Sequence, residues 1–423
     1  MSDHGPQEVR ELEADALLLR RPAGWLTLAA LLCVGTGLIG FGIGLWLAPN
    51  RTWAAMLVNV LYWTGLAQAA IIVSAMFNVV VARWGRPIQR MTEGLAAFLP
   101  FALLLFLVLW FGRDRIWVWV HEPGRNGWFR INRLFWREGL MLLVMTILSL
   151  WYLCCSIRPD LGALYRGRPP RGFAALITRG WRGLNQERAR SQWAMRLLSP
   201  CLILGYTFGF TMWATDLAMS LYPNWKSSMF GGIYWESEFY AALAAAAILT
   251  HLWMRFDPMP QIVTPRRLLD LSNLIWGFGF FWAYFAWSQY LVIWMGNIPA
   301  GAHYLIEEWR EWPWTALAWV SLSLLLIIPS LLFLARGFKS RSAPLAWIAG
   351  TGALGVLSYR FLDVMPYIAN LEPAVYWIVE AAITIGFAGA VALPYLWLMR
   401  RVPIFPASDP LFVEAIVTEG VEG

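Results

Sequence analysis

Charge is what this 423-residue chain has least of. Asp, Glu, Lys and Arg together make up 14% of it, against 59% hydrophobic residues, whereas a soluble domain carries about 25% charged residues. That shortage excludes an ordinary soluble enzyme and marks an all-α integral membrane protein. Histidine and cysteine are scarce as well, at four each. Cys33, Cys154, Cys155 and Cys201 show no CxxC or CxxCH spacing, so c-type haem attachment, zinc ribbons and Fe–S clusters have no ligands here. Each reads as a small buried apolar residue. Of His4, His121, His251 and His303, only His251 falls in an apolar run, too few imidazoles for a haem held between two of them. No Gly-rich nucleotide turn follows a strand pattern. Nothing in the chain carries an electron.

What is there is mostly apolar. A span needs about 20 such residues, and ten are predicted, near 24–48, 54–82, 93–112, 134–156, 196–222, 230–254, 268–296, 313–336, 344–365 and 373–399. The chain thus divides into an N-terminal tail (1–23), a ten-helix transmembrane domain (24–399) and a C-terminal tail (400–423). The first twenty residues are polar, and the run after them is too long for a signal peptide; they read as a tail with an amphipathic turn. The longest polar insert, Arg158 to Met195, is basic and punctuated by Gly and Pro. With the amino terminus placed in the cytoplasm, the inner side collects 23 of the 33 basic residues. Six of the ten on the other side lie in the one loop between the third and fourth spans. The Lys/Arg bias therefore predicts a multi-pass protein with both termini cytoplasmic. The net charge of +7 follows from that bias and from anionic lipid head groups, with no nucleic-acid partner implied.

Twenty-eight tryptophans suit interfacial anchoring, above all Trp25, Trp46, Trp53, Trp84, Trp110, Trp128, Trp136, Trp225, Trp312 and Trp314 near span ends. Ionisable groups at depth are the sharper pointers, because they cost free energy unless paired or hydrated. Asp216 lies about two turns from the outer end of the fifth span, and Glu236 and Glu238 begin the sixth. Arg360 and Asp363 share a face of the ninth, and Glu380 sits two turns into the tenth. His251 and Asp270 occupy the inner half. Tyr284, Ser288 and Gln289 form a polar stripe on the seventh span that would bridge two half-channels of a proton path. The competing reading is that each acid is simply hydrated or paired near the head groups.

The run from Asp216 through SLYPNW and SSMFGG, then FFWAYFAWSQYLVIWMGNIP, resembles the second quinol-oxidoreductase membrane subunit of bacterial alternative complex III. That ActF-type subunit belongs to the NrfD/polysulfide-reductase group, and IPSLLFLARGFKSR is similar too. The specific motifs cover about a quarter of the chain. The matched positions are Asp216, Trp225, Ser228, Phe230, Tyr284, Ser288, Gln289 and Asn297. The resemblance implies two four-helix bundles, spans 2–5 and 6–9, flanked by spans 1 and 10, in the cytoplasmic (inner) membrane of a bacterium. It implies a complex that oxidises quinol and passes electrons to cytochrome c or a terminal oxidase. Its partners there are a sister NrfD-like subunit, an Fe–S subunit and c-haem subunits; this chain binds no cofactor and is not catalytic alone. A proton-conducting role and quinol as substrate at or near the subunit also follow from it. Two departures stand out: Ala300-Gly301 replaces the acids that follow MGNIP, with Glu307 and Glu308 displaced, and the His flanking the Asp-Leu pair near Asp270 is absent.

Two other classes stay open. A ten-span chain with buried acids suits a secondary transporter, although Pro329 and Pro394 do not occupy matching positions of two repeats. A structural scaffold for a quinol-active sister subunit is the third.

Overall fold

The computed structural model describes residues 19, 21–121, 128, 130–165, 169–222, 225–256, 258–297, 299–368 and 377–422, without the side chains of 118, 300 and 417–422. The predicted amphipathic turn at the amino terminus and residues 373–376 of the last predicted span lie outside that set. The described residues form helices and no strand. In chain order these are α1 (Gly24–Leu47), α2 (Pro49–Val79), α3 (Arg86–Ile116), α4 (Ile131–Leu164), α5 (Leu184–Leu217), α6 (Phe230–Trp253), α7 (Pro265–Gly296) and α8 (Pro299–Arg310). They continue with α9 (Trp314–Leu332), α10 (Ser342–Ile368), α11 (Trp377–Met399) and α12 (Pro410–Glu422).

Eight of these, α1 to α5 and α9 to α11, are long and apolar enough to cross a membrane. The protein is an all-α, multi-pass membrane protein. The other two expected spans, α6 and α7, are long helices that fall short in hydropathy. Two Glu and a His dilute α6, while Trp, Tyr, Ser and Gln dilute α7.

Several helices outrun their expected bounds. α3 starts at Arg86 rather than near 93, because its first polar turn is buried and paired instead of forming a loop. Half of the basic insert after α4 is helical extension of α4 and α5. There Arg158 clamps the connection, donating from Nε to Glu187 Oε2 at 2.7 Å and from Nη1 to the Ile177 carbonyl at 2.7 Å. In α9, Pro329 offers no N–H to the carbonyl of Leu325, and the helix widens into a π-turn over Ser323–Ile327 just ahead of it.

α2 is the centre of the molecule: 94% of its most apolar stretch is buried. It packs against α3 and α5 on one flank and against α6, α10 and α11 on another. α1 lies outside, held almost wholly by α11. Gly37, Gly40 and Gly44 line the buried face of α1, and a Cβ placed on Gly386 of α11 would fall 2.5 Å from the Cα of Gly37. Small residues let the two backbones touch, which is how helices associate where no hydrophobic effect drives them together.

Arg400 donates to the carbonyls of Pro22 and Ala23, so both ends of the helical domain lie on one side, called here the terminal side. Residues 402–412 do not trail away as a tail. Val402, Ile404, Phe405, Ala407 and Phe412 are buried, and the segment folds back beneath α2, α3 and α4.

Tryptophan follows the interfacial expectation in part. Trp25, Trp46, Trp128, Trp136 and Trp312 are exposed, but Trp53, Trp225 and Trp314 are core residues.

Candidate functional site

Every turn or two along its inner face, α2 meets a polar group. At its far-side end Arg51 donates from Nε to Glu380 Oε1 of α11 at 2.7 Å. Asn59 donates to Thr384 Oγ1 at 3.1 Å and accepts from the Trp63 indole. Leu61 offers its carbonyl to Tyr234 Oη at 2.8 Å. Gly65 makes room for Glu238, whose Cγ would lie 2.6 Å from any Cβ there. Gln68 donates to Ser149 Oγ of α4 at 2.7 Å. Ser74 donates to Glu93 Oε1 at 2.6 Å and lies 3.1 Å from Tyr152 Oη. Asn78 closes the series, accepting from Arg86 at 3.3 Å. From Arg51 to Asn78 the rise is about 40 Å at 1.5 Å per residue, enough to span a hydrocarbon core of about 30 Å.

Two charge clusters hang on this ladder. The central one is built around Arg360 of α10, a side chain with no solvent exposure. Its Nε lies 3.2 Å from Glu238 Oε1, its Nη1 pairs with Asp363 and its Nη2 donates to Ser237. The guanidinium also sits 4.4 Å over the Tyr234 ring. Glu236, two residues before Glu238, is buried with no hydrogen-bond partner for either oxygen among the described residues. One Arg thus serves a region holding three acids. A buried carboxyl without a partner is costly unless it carries a proton or meets water.

The terminal-side cluster is set by α3, where Arg86, Gln89, Arg90 and Glu93 follow the i, i+3, i+4, i+7 spacing of one face. Arg90 donates to Asp160 Oδ2 at 2.7 Å and to the Ser156 carbonyl at 2.9 Å. Glu93 gathers Gln89, Ser74 and Ser156 at 2.6–2.7 Å. The C-terminal segment completes it: the Ser408 N–H donates to Asp160 Oδ1 at 2.7 Å, and Asp409 pairs with Arg86 at 3.0 Å. A cavity of about 280 Å³ opens beside this cluster.

On the far side Asp216 is buried and pairs with Arg137 of α4, which donates from Nε at 2.7 Å. Arg137 also reaches Glu138 at 3.3 Å and stacks over Trp128 at 4.0 Å. The displaced acids Glu307 and Glu308 ride on α8. Glu307 lies 3.1 Å from His303, which meets Tyr222 Oη at 2.7 Å. Glu308 turns inward and is fully buried; burial, helped by the negative charge of Asp363, holds its carboxyl well above the usual range. Ala300 and Gly301 begin α8, and the same helix carries a buried acid about two turns further on. Pro223 and Asn224 lie outside the described residues, but Trp225 stacks on Tyr304 of α8 at 3.7 Å.

The Glu308 shift has a consequence for stability. The folded state holds its proton to higher pH than the unfolded chain does. Between the ordinary carboxyl pKa and the raised one, folding is therefore linked to proton uptake, and stability falls as pH rises by about 1.4 kcal/mol per unit. Glu308→Gln should match the parent near pH 4 and exceed its thermal stability at pH 8. Equal melting at both pH values would refute the linkage.

Of the residues singled out from sequence, the fold joins Glu238, Arg360 and Asp363, brings Glu236 beside them, and pairs Glu380 and Asp216 with arginines. His251 meets Ser342 Oγ at 3.1 Å, and Asp270 is half-buried at the start of α7. The polar stripe on α7 does not form. Tyr284 is exposed on the outer face, and Ser288 spends its hydroxyl on the Tyr284 carbonyl. Gln289 alone points inward, accepting from Ser227 at 3.0 Å. The spacing i, i+4 and i+5 wraps this group around the helix, so one member faces the core and the others do not.

The sequence reading missed Arg51, Asn59, Gln68, Arg90, Glu93, Arg137, Glu138 and Asp160. In the sequence Arg90 and Glu93 fall in or beside an expected loop, and Asn59 and Gln68 lie inside an apolar run. Among the described residues no three His, Cys, Asp or Glu converge as a metal site. A second, apolar crevice of about 640 Å³ lies between α3 and α4. Its lining includes Trp110, Phe135 and Trp136 with Asn132 as a polar group, and no carboxyl or imidazole. No family model matches the chain, and no curated protein does either.

Proposed function

We propose that this chain is a proton-conducting membrane subunit of a quinol-oxidising electron-transfer complex, the role its motifs between Asp216 and Asn297 resemble. The observation that carries the proton-conducting part is the ladder on α2. Buried acids stand at both ends of it, with amide, hydroxyl and tyrosine groups between. In this reading the terminal side is cytoplasmic. Protons enter at the Asp160–Arg90–Glu93 cluster and pass Ser74, Gln68 and Ser149. They reach Glu238, Glu236 and Asp363, and leave by Glu308 or Asp216. The subunit moves protons; the electrons stay with haem and Fe–S partners. Quinol oxidation belongs to a neighbouring subunit, since the apolar crevice on α3 and α4 offers no group to accept a proton.

The test uses the weakest rung. Gln68 and Ser149 are neutral and bond to each other, so replacing both (Gln68→Leu with Ser149→Ala) removes the rung at little cost in stability. A tagged complex should keep its c-haem absorbance and its partners, while protons moved per electron fall at least tenfold. An unchanged ratio would sink the proton path. A lone, colourless protein after gentle extraction would sink membership of the complex.

A further inference from the structure

The cavity beside the terminal-side cluster carries a second function. Six charged side chains line it: Arg86, Arg188, Arg196, Asp160, Asp409 and Glu414. The three acids are already engaged, Asp160 by Arg90 and the Ser408 N–H, Asp409 by Arg86, and Glu414 by Arg83 at 3.3 Å. Arg188 and Arg196 have no hydrogen bond or ion pair among the described residues. The Nε of Arg188 is buried and unmatched, as is that of Arg86, a side chain only 1% exposed. Buried donors without acceptors cost free energy; with Arg188 half-buried and Arg196 exposed, the crevice presents two guanidinium groups free to meet an anion.

The surroundings say which kind. Both arginines belong to the first turns of α5, where that helix emerges on the terminal side. Next to Arg196, Trp193 and Leu197 are exposed, and the exposed face continues along α5 through Leu204 and Phe208. A basic crevice opening onto a bare apolar stripe, with an indole between, has the layout of an amphiphile: charged head in the crevice, chain along the helix. We infer that the crevice holds the phosphodiester of an acidic phospholipid between Arg188 and Arg196, with its acyl chain laid along α5.

The experiment is native mass spectrometry of the full chain, delipidated in neutral detergent and titrated with phosphatidylglycerol, phosphatidylcholine or inorganic phosphate. Phosphatidylglycerol should bind at least tenfold tighter than phosphatidylcholine. Arg188→Gln with Arg196→Gln should weaken it by about thirtyfold, as expected for two basic residues at a membrane surface. Arg190→Gln, on the same helix but outside the crevice, should leave it unchanged. Should the double glutamine variant lose its fold, Arg188→Lys with Arg196→Lys keeps both charges and should retain the preference for phosphatidylglycerol. Equal binding of the two lipids, full binding by the glutamine variant, or loss of the preference in a folded lysine variant would overturn the assignment. Tight binding of inorganic phosphate that phosphatidylglycerol cannot displace would show a pocket for a free anion instead.

Discussion

Replacing Arg360 by Met should cost this protein about 3–5 kcal/mol and most of its recoverable folded yield. The size of the effect comes from what is left behind. Glu238 and Asp363 lose their one shared cation in a site with no solvent exposure, and Ser237 loses its charged donor. Water cannot replace the guanidinium without opening the packing between α6 and α10. The control is the same substitution with Glu238→Gln and Asp363→Asn, which removes the charges together and should recover much of the loss, since a buried ion group exchanged whole for neutral residues is often close to neutral. Both are read as the fraction of monodisperse protein remaining after heating in detergent. Parent-like behaviour of Arg360→Met alone would mean that the acids are not held by this arginine. Arg360→Lys should fall between, because a point charge serves fewer acceptors than a planar fork.

Gly386→Leu should detach α1. The new Cβ would sit 2.5 Å from the Gly37 Cα, and the obstacle is backbone, which no rotamer change relieves. Overpacking costs typically about 1–3 kcal/mol where neighbours can move; here the whole helix pair has to separate. α1 exposes most of its surface already and depends on α11 for its docking. The expected readout is local. A disulfide engineered between α1 and α11 should form in the parent and fail in the variant, while the Arg360 cluster, and with it most of the thermal stability, persists. Efficient cross-linking in Gly386→Leu would show that the close approach is dispensable.

How much of this was legible beforehand divides along physical lines. Apolar runs near twenty residues long located the helices, because length and hydrophobicity are local properties. The pairing of Arg360 with Asp363 was legible too, since i, i+3 spacing on one helix is enough to place them together. The partner of Glu380 was not. Arg51 lies 329 positions away and stood at the edge of an expected loop, where a charge needs no explanation. The same holds for Asp216 and Arg137, on different helices. Gln68 escaped for another reason: with apolar neighbours on both sides, from Leu66 to Val73, a single amide carries no periodic signal. The α7 stripe failed because residue type was read without the face. Its Tyr284 and Ser288 point away from the core that Gln289 joins. Glu308 shows the converse: nothing in its sequence context marks it for burial, yet the fold turns it inward.

The C-terminal segment places a condition on assembly. Asp160 waits for the Ser408 amide, 248 positions further on, and Arg86 for Asp409, 323 positions further on. At a synthesis rate of about 5–20 residues per second, the first of these gaps lasts roughly ten to fifty seconds. Through that interval α3 and α4 are already made, yet their charged ends lack the last ligands that satisfy them. A chain released early, without residues 408 and 409, would keep every span and still be left with an open wound on its terminal side. Synthesis past residue 409 is thereby written into the charge balance of the fold, and a product that stops short of it differs from a longer one in a property that membrane quality control can sense.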